Sequence, residues 1–179
     1  AMGKSMQGAS GAIVIGTAIL NILWQAKNSG IVNVSASEWL INTALELNNI
    51  YLTFEGSMIL SACFGLIGEA NRDLLFLNFE HPHVILLRDG KANFLEINNP
   101  NPKLGLLQLN KIPLESKFLH SNDTLIIGSD GKDDIELSSN QESRKINEDE
   151  KMILGLVEKS NGNIVELAKL VEEKGVLID

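Results

Sequence analysis

The dipeptide Asp89-Gly90 stands between two apolar runs, Val84 to Arg88 and Ala92 to Ile97. A two-residue Asp-Gly link turns the chain with both central residues at positive φ, and its twist matches that of paired strands. The two runs must therefore be antiparallel neighbours, because parallel strands need a crossover of roughly a dozen residues or more. The same reasoning extends along the middle of the chain. Met58 to Ile67 and Asp73 to Phe79 are apolar strand candidates joined by Gly68-Glu69-Ala70-Asn71-Arg72, and Leu114 to Leu119 and Thr124 to Ile127 flank a reversal at His120-Ser121-Asn122-Asp123. Residues 98–105 carry Asn, Pro and Gly and read as a loop. An antiparallel centre excludes the doubly wound parallel folds.

Helical patterns lie on either side. Gly11 to Leu20 continues through Trp24 to Lys27 and predicts a helix from about Met6 to Lys27, with Gly30 beyond its end. Its small residues, Gly8, Ala9, Gly11, Ala12 and Gly16, allow close approach of a neighbour. The apolar run is shorter than the ~20 residues a bilayer requires, and no cleavage site follows, so a buried helix is expected and no membrane segment. Ser35 with Glu38 has the spacing of a capping box. Trp39, Leu40, Ala44, Leu47 and Tyr51 then share one face. Residues 128–146 are polar and weakly patterned. Asn147 with Glu150, and Asn163 with Glu166, read as starts of two further helices, the last ending at Lys174-Gly175. Helix pair, antiparallel strands, helix pair: the expected class is α+β, a layered αββα sandwich of antiparallel sheets flanked by helix pairs, forming a single domain over residues 1–179.

Charge narrows the partners. With 15 basic and 23 acidic residues the net charge is −8, which argues against nucleic acid and against anionic membrane surfaces. A lone cysteine, Cys63, lies in an apolar run and cannot close an internal disulfide, which suits a reducing, cytoplasmic compartment and a core role. His81 and His83 flank Pro82, and with no third ligand nearby they read as part of a turn. Gly3-Lys4-Ser5 before a helix suggests a phosphate-binding loop. That loop requires an upstream glycine and strand and leads into parallel units, unlike this chain.

The chemistry-bearing stretch is Thr124-Leu125-Ile126-Ile127-Gly128-Ser129-Asp130-Gly131. A short apolar strand ends at a carboxylate, and the following glycine turns the backbone. A rigid strand end holds a carboxylate in one place, which is what a hard divalent cation asks of its oxygen ligands. Asp133 and Asp134 follow closely and read as a solvated acidic loop.

Taken in order, several segments resemble the SpoIIE-like branch of the type 2C metal-dependent protein phosphatases. Met2 to Ala12 looks like its Gly-Lys-Gly segment and following helix. His81-Pro82 looks like its Gly-His-Pro turn, with Glu80 where glycine is usual. Leu104-Gly105-Leu106-Leu107 looks like its Leu-Gly-hydrophobic element. Asp123 to Gly131 matches its Gly-Asp…(Thr/Ser)-Asp-Gly block, with Asn122 in place of the glycine, and Gly175 to Asp179 looks like the approach to its closing Asp-Asp motif.

The resemblance implies that Asp130 and Asp179 are metal ligands, that the cofactor is a pair of Mn²⁺ or Mg²⁺ ions, and that the substrate is phosphoserine or phosphothreonine on a regulatory protein. In bacterial partner-switching circuits such a protein is an anti-sigma-factor antagonist. Two ions about 3.5–4 Å apart would activate water directly, without a covalent enzyme intermediate. The family's Gly-Gly-Asp motif and the aspartate before the first helix are missing. The expectation is therefore a piece of a longer protein, binding metal weakly and inactive as it stands, with the parent the enzyme. The alternative is a non-catalytic interaction domain that keeps the fold. The apolar first helix also makes a homodimer an expectation.

Overall fold

The computed structural model describes residues 6–28, 34–129, 131, 135–140 and 143–177. These fall into two compact units, residues 1–81 with 97–119 and residues 82–96 with 120–179.

In the first unit, helices α1 (Met6–Asn28) and α2 (Ala36–Leu52) accompany strands β1 (Ala62–Ile67), β2 (Asp73–Phe79) and β5 (Glu115–Phe118). The order is β1-β2-β5, antiparallel throughout, with Phe64 opposite Leu77 and Asp73 opposite Phe118. The predicted capping box is present: Ser35 Oγ accepts from the Glu38 N–H while Glu38 Oε2 accepts from the Ser35 N–H. Leu40, Ala44, Leu47 and Tyr51 of α2 form a core with Leu60, Leu77, Phe79 and Leu104. Val14, Ile15, Ala18 and Ile19 of α1 pack against it, beside the buried Ile22.

The second unit holds β3 (Ile85–Arg88), β4 (Lys91–Phe94), β6 (Thr124–Ile126), β7 (Ile135–Asn140), β8 (Ser143–Ile146), α3 (Met152–Ser160), α4 (Ile164–Lys174) and β9 (Val176–Leu177). Two antiparallel sheets result, β4-β3-β6 and β8-β7-β9. Asp89 and Gly90 take φ of 50° and 74°, the paired positive values the β3–β4 hairpin demands. Ile85, Leu87 and Ala92 pack with Ile135, Ile153, Leu156, Val157, Leu167 and Val171. Asn163 caps α4 by accepting from Val165 and Glu166.

The α+β class, with antiparallel sheets accompanied by helix pairs, is as expected. Four details differ. The segment read as unpatterned contains β7 and β8, whose Ser, Asn, Arg and Lys residues hide strand periodicity. Asn147 does not cap a helix; its Oδ1 accepts from Asp149 in a local turn, and α3 begins at Met152. The strands either side of His120–Asp123 are not a hairpin, since β5 pairs with β2 and β6 with β3. Finally, α1 runs 23 residues to Asn28, so Gly8–Asn28 is long and apolar enough to cross a membrane by length and composition alone. The helix matches the expected Met6–Lys27 to within a residue; the bilayer argument counts only the apolar run, whereas the helix also carries Gln25, Lys27 and Asn28.

Candidate functional site

The strand β6 leads to the Ser-Asp-Gly segment, and three features of its surroundings fix it. Its three residues pair with Ile85, Leu86 and Leu87 of β3. Gly162, at φ 72° in the α3–α4 turn, lies against it: a Cβ there would come 3.0 Å from Leu87 and 3.4 Å from Thr124. At its start, Asp123 accepts from Arg88 Nε at 2.9 Å and Arg88 Nη2 at 2.5 Å, and from the His120 N–H at 2.8 Å. The Asp123 side chain is 2% exposed. The Arg88 hydrogen bond, with help from the His120 amide, holds the Asp123 carboxyl below the usual carboxylate range despite its desolvation. A paired fork of this kind gives direction as well as energy. Beyond the strand, Ile127 and Ser129 are exposed.

Asp130 and Asp179, the two residues expected to bind metal, lie outside the described residues, as do Asp133, Asp134 and Gly3-Lys4-Ser5. Among the described residues no group of three or more His, Cys, Asp or Glu side chains converges as a metal centre would require. The described residues therefore do not by themselves fit a two-metal site.

The His81-Pro82 turn is held by Asn78, whose Oδ1 accepts from the His81 N–H at 2.8 Å and whose Nδ2 donates to the His81 carbonyl at 2.9 Å. Glu80, standing where the resemblance expects glycine, adopts φ 47°. The backbone has kept the glycine conformation without the glycine. The His83 ring lies 5.6 Å from that of Phe94, so this histidine belongs to local packing. Burial pushes the Cys63 thiol up to about 11, away from reactivity.

Sequence reasoning missed two polar groups in the first unit. Asn48 and Tyr51, both fully buried, sit one turn apart on α2. Asn48 Oδ1 accepts from the Gly105 N–H at 2.9 Å, and its Nδ2 donates to the Leu107 carbonyl at 3.2 Å. Gly105 is at φ 82°, and a Cβ there would fall 2.6 Å from that of Tyr51. The Leu-Gly-hydrophobic element is thus a turn pressed onto α2 and clamped by one amide. Tyr51 Oη donates to the Gly11 carbonyl at 2.7 Å. Burial raises the Tyr51 pKa, and the Ile15 backbone N–H beside the hydroxyl lowers it in part. The signal was present: Asn48 interrupts an apolar stripe between Leu47 and Tyr51, where a polar side chain needs a partner.

Comparison with known proteins matches residues 1–173 to the family described as Stage II sporulation protein E (SpoIIE). No curated protein is similar enough to count as a relative. Among solved structures, the RsbU and RsbW domains of Rv1364c from Mycobacterium tuberculosis share 16% identity over 93% of this chain and 44% of theirs, with a TM-score of 0.60. The Mn-presoaked phosphatase domain of the cell fate determinant SpoIIE from Bacillus subtilis shares 17% identity over 87% of this chain and 63% of its own, with a TM-score of 0.45. The chain thus spans less than two thirds of either structure, and the first of them shows a common fold.

Proposed function

Because the chain belongs to the SpoIIE family, we propose that it is the greater part of a metal-dependent protein phosphatase domain that hydrolyses phosphoserine or phosphothreonine on a regulatory protein. The observation that carries this reading is the family match, which runs from residue 1 to residue 173 through both units. It also supports treating residues 1–179 as one domain. In this reading Asp130 and Asp179 are metal ligands for Mn²⁺ or Mg²⁺, with further ligands supplied from outside the described residues. The protein's own described contribution is positional. Arg88 and Asp123 hold the start of β6, and the α3–α4 turn lies against it.

The proposed partner is a small phosphorylated protein of a partner-switching circuit, and the proposed compartment is the cytoplasm, which the acidic charge and single cysteine suit. The inner face of α1 is seated on protein, with Gly8, Gly11 and Ile22 buried.

The test is Mn²⁺-dependent hydrolysis of an aryl phosphate and of a phosphoserine protein by the chain extended at both ends, with Asp130→Asn and Asp179→Asn beside it. Metal-dependent turnover lost in both variants supports the reading. A well-folded extended chain without turnover refutes it and leaves a non-catalytic interaction domain. Glu80 and Asn122, which replace glycines of the family pattern, favour that second reading.

A further inference from the structure

The inner face of α1 carries a repeating aliphatic pattern: Val14, Ile15, Ala18, Ile19 and Ile22. Sliding the helix by one turn would put Ala18 where Val14 sits and Ile19 where Ile15 sits. The displacement, four residues of rise, is about 6 Å along the axis. Aliphatic shape alone discriminates poorly between two such seats, because cores accept swaps of similar volume. Something else must select the observed one.

Gly11 and Tyr51 supply that selection. Gly8 and Gly11 are buried on α1, one turn apart. With no side chain at either position, the helix backbone is open there. The Tyr51 phenol reaches it and donates to the Gly11 carbonyl at 2.7 Å. One turn along, Ile15 would stand at that point with a branched side chain over its own backbone, and the hydroxyl would be left buried and unbonded. Such an orphaned group is strongly disfavoured. Tyr51 is itself held in place. The Gly105 turn lies against its Cβ, Asn48 clamps that turn from the preceding turn of α2, and the ring of Phe54 lies 6.0 Å away.

We propose that Gly11 and Tyr51 form a register pin, a glycine gap and a hydroxyl that together fix the axial seat of α1 on α2. One-turn ratchets of packed helices are a recognised kind of two-state element, and the pin is what confines this pair to one state. Its consequence shows on the outer face of α1. Ile13, Leu20 and Trp24 are 70%, 70% and 66% exposed, so the pin sets the height at which this apolar stripe is displayed.

The inference is independent of the phosphatase reading, and its test needs no activity. Nitroxide labels at the exposed positions Gln25 of α1 and Glu46 of α2, in a Cys63→Ala background, report the helix–helix distance by pulsed electron resonance. The unaltered pair gives one distance. Tyr51→Phe keeps the ring, and the Gly11 carbonyl keeps its own helical donor, so this variant folds, as circular dichroism will verify. It raises a second population, displaced along the helix by about one turn of rise, about fivefold. Gly11→Ala, which closes the gap, does the same. Ile22→Val, which thins the same interface without touching the pin, keeps the single distance. A second population in either pin variant and not in Ile22→Val supports the proposal. An unchanged distance in both pin variants, or an equal change in Ile22→Val, overturns it.

Discussion

Glu80 offers a direct measure of how much backbone strain this chain tolerates. It sits at φ 47°, in the left-handed region where the Cβ of an L-residue crowds its own carbonyl at about 1–2 kcal/mol. Replacing it with glycine removes that crowding. Glycine returns part of the gain, about 0.5–1 kcal/mol, because its unfolded chain is freer. The carboxylate is half-exposed and 3.9 Å from Lys103 Nζ, a separation worth only a few tenths of a kcal/mol at a surface. Glu80→Gly is therefore expected to stabilise the protein by about 0.5 kcal/mol net.

The control is Glu80→Ala. It loses the carboxylate but keeps the Cβ and its strain, and it should be neutral or slightly destabilising. Glycine should exceed alanine at this position by about 1 kcal/mol, which for a chain of this size is a melting difference of about 2–4 °C. Differential scanning calorimetry on the three proteins under one condition reads this directly. A glycine variant no more stable than the alanine variant would refute the argument and show that the turn carries no strain.

Other consequences follow from the same geometry. The Asp123 carboxyl is lowered in the folded state by Arg88, so its stabilisation is fully present above the unfolded carboxylate pKa and is lost as pH falls through the depressed folded value. Asp123→Asn should cost about 2 kcal/mol at pH 7 and flatten the loss of stability below about pH 4, as urea midpoints across that range will read. Gly175→Ala should destabilise by about 1–3 kcal/mol, because the new Cβ would collide with the Glu136 carbonyl oxygen; an unchanged urea midpoint contradicts the close approach. Gly16→Ala should raise the melting temperature, gaining about 0.5–1 kcal/mol of helix propensity, since a Cβ there meets nothing within 4 Å. Of the glycines expected to permit close approach, Gly8 and Gly11 are buried while Gly16 faces outward.

What the sequence made legible was local. The Asp89-Gly90 hairpin and the Ser35 and Asn163 caps could be read because each depends on residues a few positions apart. The destination of β5 and β6 could not, because which sheet a strand joins depends on partners some forty residues away. The strands β7 and β8 escaped because their composition is polar, and strand propensity is mostly the ability to fit a half-buried pleat. For the site, the Ser-Asp-Gly block stood out from residue types alone. Its support did not. Arg88 and Asp123 lie 35 positions apart, and only the antiparallel placement of β3 beside β6 brings them together. The Asn48 clamp was half visible, as a polar break in an apolar stripe without its partner.

The two units are interleaved along the chain, with boundaries at 81/82, 96/97 and 119/120. Neither is a contiguous stretch, so no single cut isolates one from the other. During synthesis, β2 waits for β5, with Asp73 meeting Phe118, and β3 waits for β6, with Ile85 meeting Ile126. The first sheet cannot be completed until residue 118 is available, by which time the whole β3–β4 hairpin of the second unit has been made. Closing loops of that length makes assembly slow compared with a helical bundle of the same size. It also means that a nick in a surface loop leaves both units still threaded through one another's sequence, a form of integrity that belongs to the path of the backbone and not to any one interaction.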